Sequence, residues 1–214
     1  MRKNKLESIS KENFIVLINL KLLDLGENQV ILLYEDFFEK INSLESLYLG
    51  LIHIKNLNSS LKNLTNIQNL DLSFNLFNFI NIYSLNFENL IYLYLSNNVL
   101  NETKNFDFSN FKNLKILNLS RIHSYDLDVS LKFPFNSTLK ELNLNSNNLT
   151  AISKSFSANL TYLQKTYLKD TYLINFDFLF NLVSLNSIYL SDNLEFFKNL
   201  AFPSSSLSYK GVSK

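Results

Sequence analysis

With 214 residues, a hydrophobic content of 46% and 20 basic against 19 acidic side chains, the chain can build a continuous core and carries no net field that selects nucleic acid or an anionic membrane as its partner. The absence of cysteine excludes a disulfide framework, thiolate metal sites and a cysteine nucleophile. Asn is abundant, so the seven Asn-x-Ser/Thr triplets, at Asn58, Asn63, Asn101, Asn118, Asn136, Asn148 and Asn159, barely exceed the roughly five that chance supplies and do not indicate glycosylation.

Residues 1–13 read as a polar lead. Met1 to Lys5 is basic, but Leu6 to Asn13 is mostly polar and the apolar run Phe14 to Ile18 is short, with no small-residue cleavage site after it, which argues against a secretory leader. Nothing approaches the roughly 18 continuous apolar residues of a membrane span, so no membrane insertion is expected in this segment. Leu6, Ile9 and Phe14 are expected to fold a short helix or turn over the element that follows.

From residue 14 to 197 one register recurs. It reads Leu20-x-x-Leu23-x-Leu25-x-x-Asn28, Leu44-x-x-Leu47-x-Leu49, Ile67-x-x-Leu70-x-Leu72-x-x-Asn75, Leu90-x-x-Leu93-x-Leu95-x-x-Asn98 and Leu114-x-x-Leu117-x-Leu119. It continues as Leu139-x-x-Leu142-x-Leu144-x-x-Asn147, Leu163-x-x-Thr166-x-Leu168 and Leu185-x-x-Ile188-x-Leu190-x-x-Asn193. The first positions step by 24, 23, 23, 24, 25, 24 and 22 residues, a period that indicates stacked repeats.

This array resembles the leucine-rich-repeat family, and with its units of about 24 residues it looks like the longer class found in Toll-like receptor ectodomains. The resemblance implies an α/β-type repeat solenoid: a horseshoe with a concave parallel sheet of about eight short strands and a convex side of loops and short helices. The alternation agrees, since the two leucines of Leu-x-Leu face one side of a strand and the residue between them faces the other. Asn28, Asn75, Asn98, Asn147 and Asn193 stand where each chain turn leaves its strand, and an amide can donate and accept there, which makes a structural ladder. Phe38, Phe87, Phe108, Phe111 and Phe156 are expected to pack behind the sheet. Ile52, Ile122 and Thr171 replace the ladder Asn, and those turns are expected to be irregular.

The solvent-side residues form columns. The central column is Asp24, Tyr48, Asp71, Tyr94, Asn118, Asn143, Tyr167 and Tyr189. Beside it run Leu22, Ser46, Asn69, Tyr92, Ile116, Glu141, Lys165 and Ser187, and further out Glu27, Leu51, Phe74, Asn97, Arg121, Ser146, Asp170 and Asp192. Tyr48, Leu51, Phe74, Tyr92 and Tyr94 come together on repeats two to four, and aromatic side chains on a rigid face are the commonest binding anchors. Tyr167 and Tyr189, with Lys165, Lys169, Asp170 and Asp192, form a second and more polar cluster. Residues 198–214 close the chain as a Ser- and Lys-rich tail, frayed or a truncated next repeat, behind Phe196, Phe197, Leu200 and Phe202 as cap candidates.

Chemistry is not indicated. His53 and His123 lie three repeats apart, roughly 14 Å at the strand spacing, too far to share a metal. The glycines, Gly26, Gly50 and Gly211, make no phosphate loop, and the carboxylate pairs Glu35/Asp36 and Asp126/Asp128 lack further ligands or an acid–base partner. No catalytic residue, metal site or cofactor is assigned. The expected function is non-catalytic recognition of a protein or peptide on the concave face, in the manner of a fragment of a Toll-like or similar receptor. The alternative is an assembly protein that self-associates through uncapped end repeats. The compartment is extracellular or cell-surface if the chain is part of a receptor, and cytoplasmic if it is complete as given.

Overall fold

The computed structural model describes residues 1–30, 33, 36–55, 57, 60–77, 87–100, 106–123, 131–150, 152, 154–190 and 208–209. Nine short strands form one parallel sheet in chain order: β1 Leu22–Asp24, β2 Ser46–Tyr48, β3 Asn69–Asp71, β4 Tyr92–Tyr94, β5 Ile116–Asn118, β6 Glu141–Asn143, β7 Lys165–Leu168, β8 Ser187–Leu190 and β9 Ser208–Tyr209. The first eight sit on the eight repeats, and equivalent positions pair throughout, as in Leu23 with Leu47, Leu47 with Leu70 and Leu70 with Leu93. The tail contributes the ninth: Ser208 pairs with Ser187 and Tyr209 with Ile188, a step of 21 residues that stays within repeat length.

The strands are short because only three or four residues per repeat stay extended before the chain must turn. In β1 to β6 the middle residue is buried and its neighbours face out, and β7 and β8 continue the same alternation over four residues. The second leucine of each pair is also buried, and its N–H carries the ladder one step past the strand: Leu25 to the carbonyl of Tyr48, Leu49 to Asp71, Leu72 to Tyr94 and Leu95 to Asn118, all at 2.8–2.9 Å. Every sheet hydrogen bond therefore joins neighbouring repeats, and the buried apolar residues form a single cluster from Ile9 to Leu190.

Behind the sheet the described residues are mostly turn, with 3-10 helices at Lys11–Phe14, Ser60–Asn63 and Asp177–Asn181 and an α turn at Lys154–Ser157 among them. The phenylalanines there line up despite their wandering sequence spacing. Rings run from Phe108 to Phe133 to Phe156 to Phe178 with centroids 5.6, 5.6 and 6.4 Å apart, and Phe14, Phe37 and Phe38 make a similar group at the front.

Two ladders hold the turns. Asn75 donates from its amide to the carbonyls of Leu49, in the repeat before, and Leu72, in its own, and accepts from the N–H groups of Ile52 and Ile54. Asn28, Asn98 and Asn147 bond in the same way; Asn193 lies outside the described residues. Thr171 reaches only the carbonyl of Leu168 in its own repeat. Ile52 and Ile122 are fully buried, and each is flanked by two left-handed residues, Leu51 and His53 or Arg121 and His123, so these turns do depart from the common form. The second ladder stands at the other end of the strands, just before each first apolar position. Asn66, Asn89 and Asn113 donate to the carbonyls of Asn42, Thr65 and Glu88, and the hydroxyls of Ser43 and Thr138 do the same work.

The lead repeats the second half of the unit in phase. Lys3 is left-handed like Glu27, and its N–H reaches the carbonyl of Gly26 as that of Glu27 reaches Gly50. Asn4 stands 24 residues before Asn28, and Leu6, Ile9 and Phe14 stand 24 before Val30, Leu33 and Phe38. What the sequence suggested as a helix or turn over the first repeat is thus the convex half of a repeat, with a 3-10 turn at Lys11–Phe14 inside it.

Candidate functional site

The sheet face opposite the leucine core carries the three expected columns in register. Asp24, Tyr48, Asp71, Tyr94, Asn118, Asn143, Tyr167 and Tyr189 pair across successive strands as the central column. Tyr48 and Tyr94 are therefore two strands apart with Asp71 between them, roughly 10 Å, while Tyr92 and Tyr94 share β4. All three tyrosines are half-buried.

The outer column is distinct in its backbone. Glu27, Leu51, Phe74, Asn97, Arg121, Ser146 and Asp170 all have φ between 53° and 57°. This left-handed turn points each N–H at the next repeat: Leu51 to Ser73, Phe74 to Ser96, Asn97 to Ser120 and Arg121 to Asn145, at 2.8–3.0 Å. For a side chain with a Cβ the conformation costs about 1–2 kcal/mol, and the inter-repeat bond offsets it. The same turn swings the side chain away from the core, which leaves Leu51 at 40% and Phe74 at 51% exposure, two large apolar groups held in water.

At four central positions a side-chain oxygen caps the turn. Asp24 accepts from the N–H of Gly26, Asp71 from Ser73, Asn118 from Ser120 and Asn143 from Asn145, at 2.9–3.0 Å. The tyrosine repeats lack such an oxygen, and their rings lie over the sheet instead. Between Asp24 and Asp71 a cavity opens whose walls include Arg2, Tyr48, Gly50 and Phe74. Arg2 closes its near side on Glu27, at 3.0 Å, and Asp24, at 4.0 Å.

The second cluster is where ring stacking occurs. Tyr167 and Tyr189 lie parallel, centroids 4.4 Å apart and 8° between planes. Burial, then Glu141, then Tyr189 push the Tyr167 phenol up to about 12, and Lys165 stands 3.8 Å from Glu141. Tyr94 is also raised, first by burial and then by Glu141 and Asp71. Of the other residues expected there, Lys165 and Asp170 are exposed and Lys169 is half-buried, while Asp192 lies outside the described residues.

His53 and His123 are exposed beyond the turns, and among the described residues no group of three or more His, Asp or Glu is placed to hold a metal ion. No described helix is long and apolar enough to cross a membrane.

The sequence pattern of the family described as leucine rich repeat matches residues 1–50, the stretch that includes the half-repeat at the front. Together with eight in-phase repeats on one parallel sheet, that decides the fold. The chain is a leucine-rich-repeat solenoid. Among solved structures it is similar to a chain of the TLR13–ssRNA13 complex, at 31% identity and a TM-score of 0.69, over 85% of this chain and 27% of that one. The leucine-rich-repeat domain of APL1B matches at 22% identity and a TM-score of 0.70, over 89% and 55%. A chain of the octameric complex of Latrophilin 3, Unc5D and the FLRT2 leucine-rich repeats matches at 19% and 0.67, over 91% and 70%. The last two likenesses concern the fold alone. The leucine-rich-repeat chain described here spans 27% of the TLR13 chain and 55% of the APL1B chain. No curated protein sequence matches it. Its structural neighbours are receptor-like and interaction modules, and binding rather than catalysis is the general role of such solenoids.

Proposed function

We propose that this leucine-rich-repeat segment recognises a protein or peptide ligand on its concave face, with Tyr48, Leu51, Phe74, Tyr92 and Tyr94 as the principal anchors and Tyr167 and Tyr189 as a second contact. The observation that carries the reading is the solvent placement of Leu51 and Phe74 beside the tyrosine columns. Both are bulky, both sit on a left-handed backbone, and neither belongs to the buried core, so core packing does not account for them. The balanced charge supplies no general attraction for a polyanion, which favours a protein over a nucleic acid. The reading is tested by selecting peptides from a random library on the immobilised protein and measuring the winners by calorimetry. Peptides whose binding falls with Phe74→Ser support it; failure to select any, or selection of peptides indifferent to Phe74, rejects it.

A second reading, assembly through the ends, is favoured by one specific feature. Just before β1, which is the edge strand, Ile15, Val16, Leu17 and Ile18 form an apolar run exposed by 55, 80, 40 and 59%, and Leu22 on β1 itself is exposed by 54%. Light scattering across a concentration series distinguishes the two: growth in mass that Val16→Lys abolishes supports assembly, and a constant monomer mass excludes it.

A further inference from the structure

We propose that the cavity over Tyr48 receives a basic side chain of the ligand, arginine in preference, with Asp71 as its counter-charge. The proposal rests on the concave-face reading above and adds the chemistry of one contact.

The argument starts from what the fold requires at the central column. Asp24 and Asp71 each accept the N–H two residues on, and Asn118 and Asn143 perform the same task at the equivalent places on β5 and β6. A neutral amide oxygen is therefore sufficient for the turn, and the turn does not require the negative charges at positions 24 and 71. They are also placed together, on either side of Tyr48 across β1, β2 and β3.

The charge is only partly balanced in place, since Arg2 lines the same cavity and lies within electrostatic reach of Asp71. Arg2 binds Glu27 and reaches toward Asp24, and Lys3 lies 4.0 Å from Glu27. At Asp71, Oδ1 accepts from the N–H and hydroxyl of Ser73, and no cation pairs with this carboxylate among the described residues. Its second oxygen faces the space above Gly50, where an added Cβ would lie 3.3 Å from it. Gly50 does not have a positive φ, so the backbone does not demand glycine, and Ser73, Ser96 and Ser120 stand at the equivalent position in the next three repeats. What glycine provides is access to Asp71.

The walls complete the match. Tyr48 stands between the two carboxylates in the strand register, and Phe74 and Leu51 join it in lining the cavity. A guanidinium can lie against an aromatic ring and direct its N–H groups at a carboxylate in the same plane, while its methylene stem covers apolar surface. Arg2 shows the ion-pairing part of this chemistry at the near wall, with its guanidinium on Glu27 and Asp24.

The test uses N-acetyl-arginine amide and its neutral isostere N-acetyl-citrulline amide as probes, followed through the backbone amide NMR signals of the whole chain. Saturable shifts at Gly50, Ser73 and Phe74 with the arginine probe, at least about tenfold weaker with citrulline, are expected. Asp71→Asn, which keeps the turn hydrogen bond in the manner of Asn118, is expected to weaken the arginine response about tenfold, and Gly50→Ser to do so by filling the space. Equal response to both probes, shifts elsewhere or none, or an unchanged response in Asp71→Asn overturns the proposal. These small probes report on the pocket whether or not a peptide ligand is selected, so the pocket can fail while the concave-face reading stands, and the reverse.

Discussion

Asn98 and Leu72 belong to different repeats, yet the side-chain amide of Asn98 donates to the carbonyl of Leu72 at 3.0 Å while also serving Leu95, in its own repeat, at 2.9 Å. The same side chain accepts the N–H of Phe77 and is 1% exposed. Removing it takes the side-chain donor from the Leu95 carbonyl and the acceptor from the Phe77 N–H, and leaves the Leu72 carbonyl with the Asn75 amide alone, in a place water does not reach. Asn98→Ala is expected to destabilise the protein by about 1–3 kcal/mol in chemical denaturation. Thr171→Ala, which loses one bond within a single repeat, is expected to cost clearly less. Equal losses would show that bridging between repeats contributes nothing.

Leu95 tests the register itself. It is 1% exposed, its N–H pairs with the carbonyl of Asn118, and its side chain belongs to the continuous leucine core. Leu95→Asp places a charge there with no partner, at a cost of several kcal/mol. Because each repeat leans on its neighbours, the expected outcome is loss of cooperative melting through the middle of the array. A melting curve like that of the parent would mean Leu95 faces water.

The repeat period carried the sheet, its register and the Asn ladder, because each depends on identity at a fixed spacing. Three features were not read. The second ladder, Ser43, Asn66, Asn89, Asn113 and Thr138, recurs at the same period and was available in the sequence, but in so Asn-rich a chain its members looked like background. The left-handed column gave no signal, since glycine is the usual marker of positive φ and here the positions hold Glu, Leu, Phe, Asn, Arg, Ser and Asp. The Phe108–Phe133–Phe156–Phe178 line was hidden because convex loops differ in length, so rings that meet in space drift in sequence. Of the candidate site, membership of the face was legible from alternation alone; which rings touch was not, and the stacked pair proved to be Tyr167 and Tyr189 rather than the tyrosines of repeats two to four.

That stacked pair has a pH signature. The Tyr167 phenol is pushed up to about 12 by burial, Glu141 and Tyr189, above its unfolded value near 10. A group that holds its proton more tightly when folded contributes stability that is fully present below the unfolded value and is lost as pH rises through the folded one. Stability is therefore expected to decline between about pH 10 and 12 as the unfolded chain gains tyrosinate first. Tyr167→Phe is expected to flatten that decline and to remove the latest step of a tyrosinate absorbance titration. A late step that persists in Tyr167→Phe would assign it to another residue.

For the concave face, the decisive substitution is Tyr94→Ala. Tyr94 stands on the middle strand of the anchor region, next to Asp71 on one side and Asn118 on the other, with Tyr92 on the same strand and Phe74 one turn out. Its ring lies on the face rather than in the leucine core, so truncation should leave the circular dichroism spectrum unchanged. Its phenol offers a hydroxyl beside an apolar ring, the combination that concentrates binding energy at interfaces. Against a peptide selected on this protein, Tyr94→Ala is expected to weaken binding by about 2 kcal/mol, close to thirtyfold in Kd. The matched control is Phe135→Ala: Phe135 is 84% exposed but lies in a turn away from the sheet, so aromatic exposure is preserved as a variable while position changes. Its loss should leave Kd within a factor of about two. If Phe135→Ala abolishes binding and Tyr94→Ala does not, the ligand is held by the convex side, and the alternation that placed the tyrosines on one face has no bearing on what the protein binds.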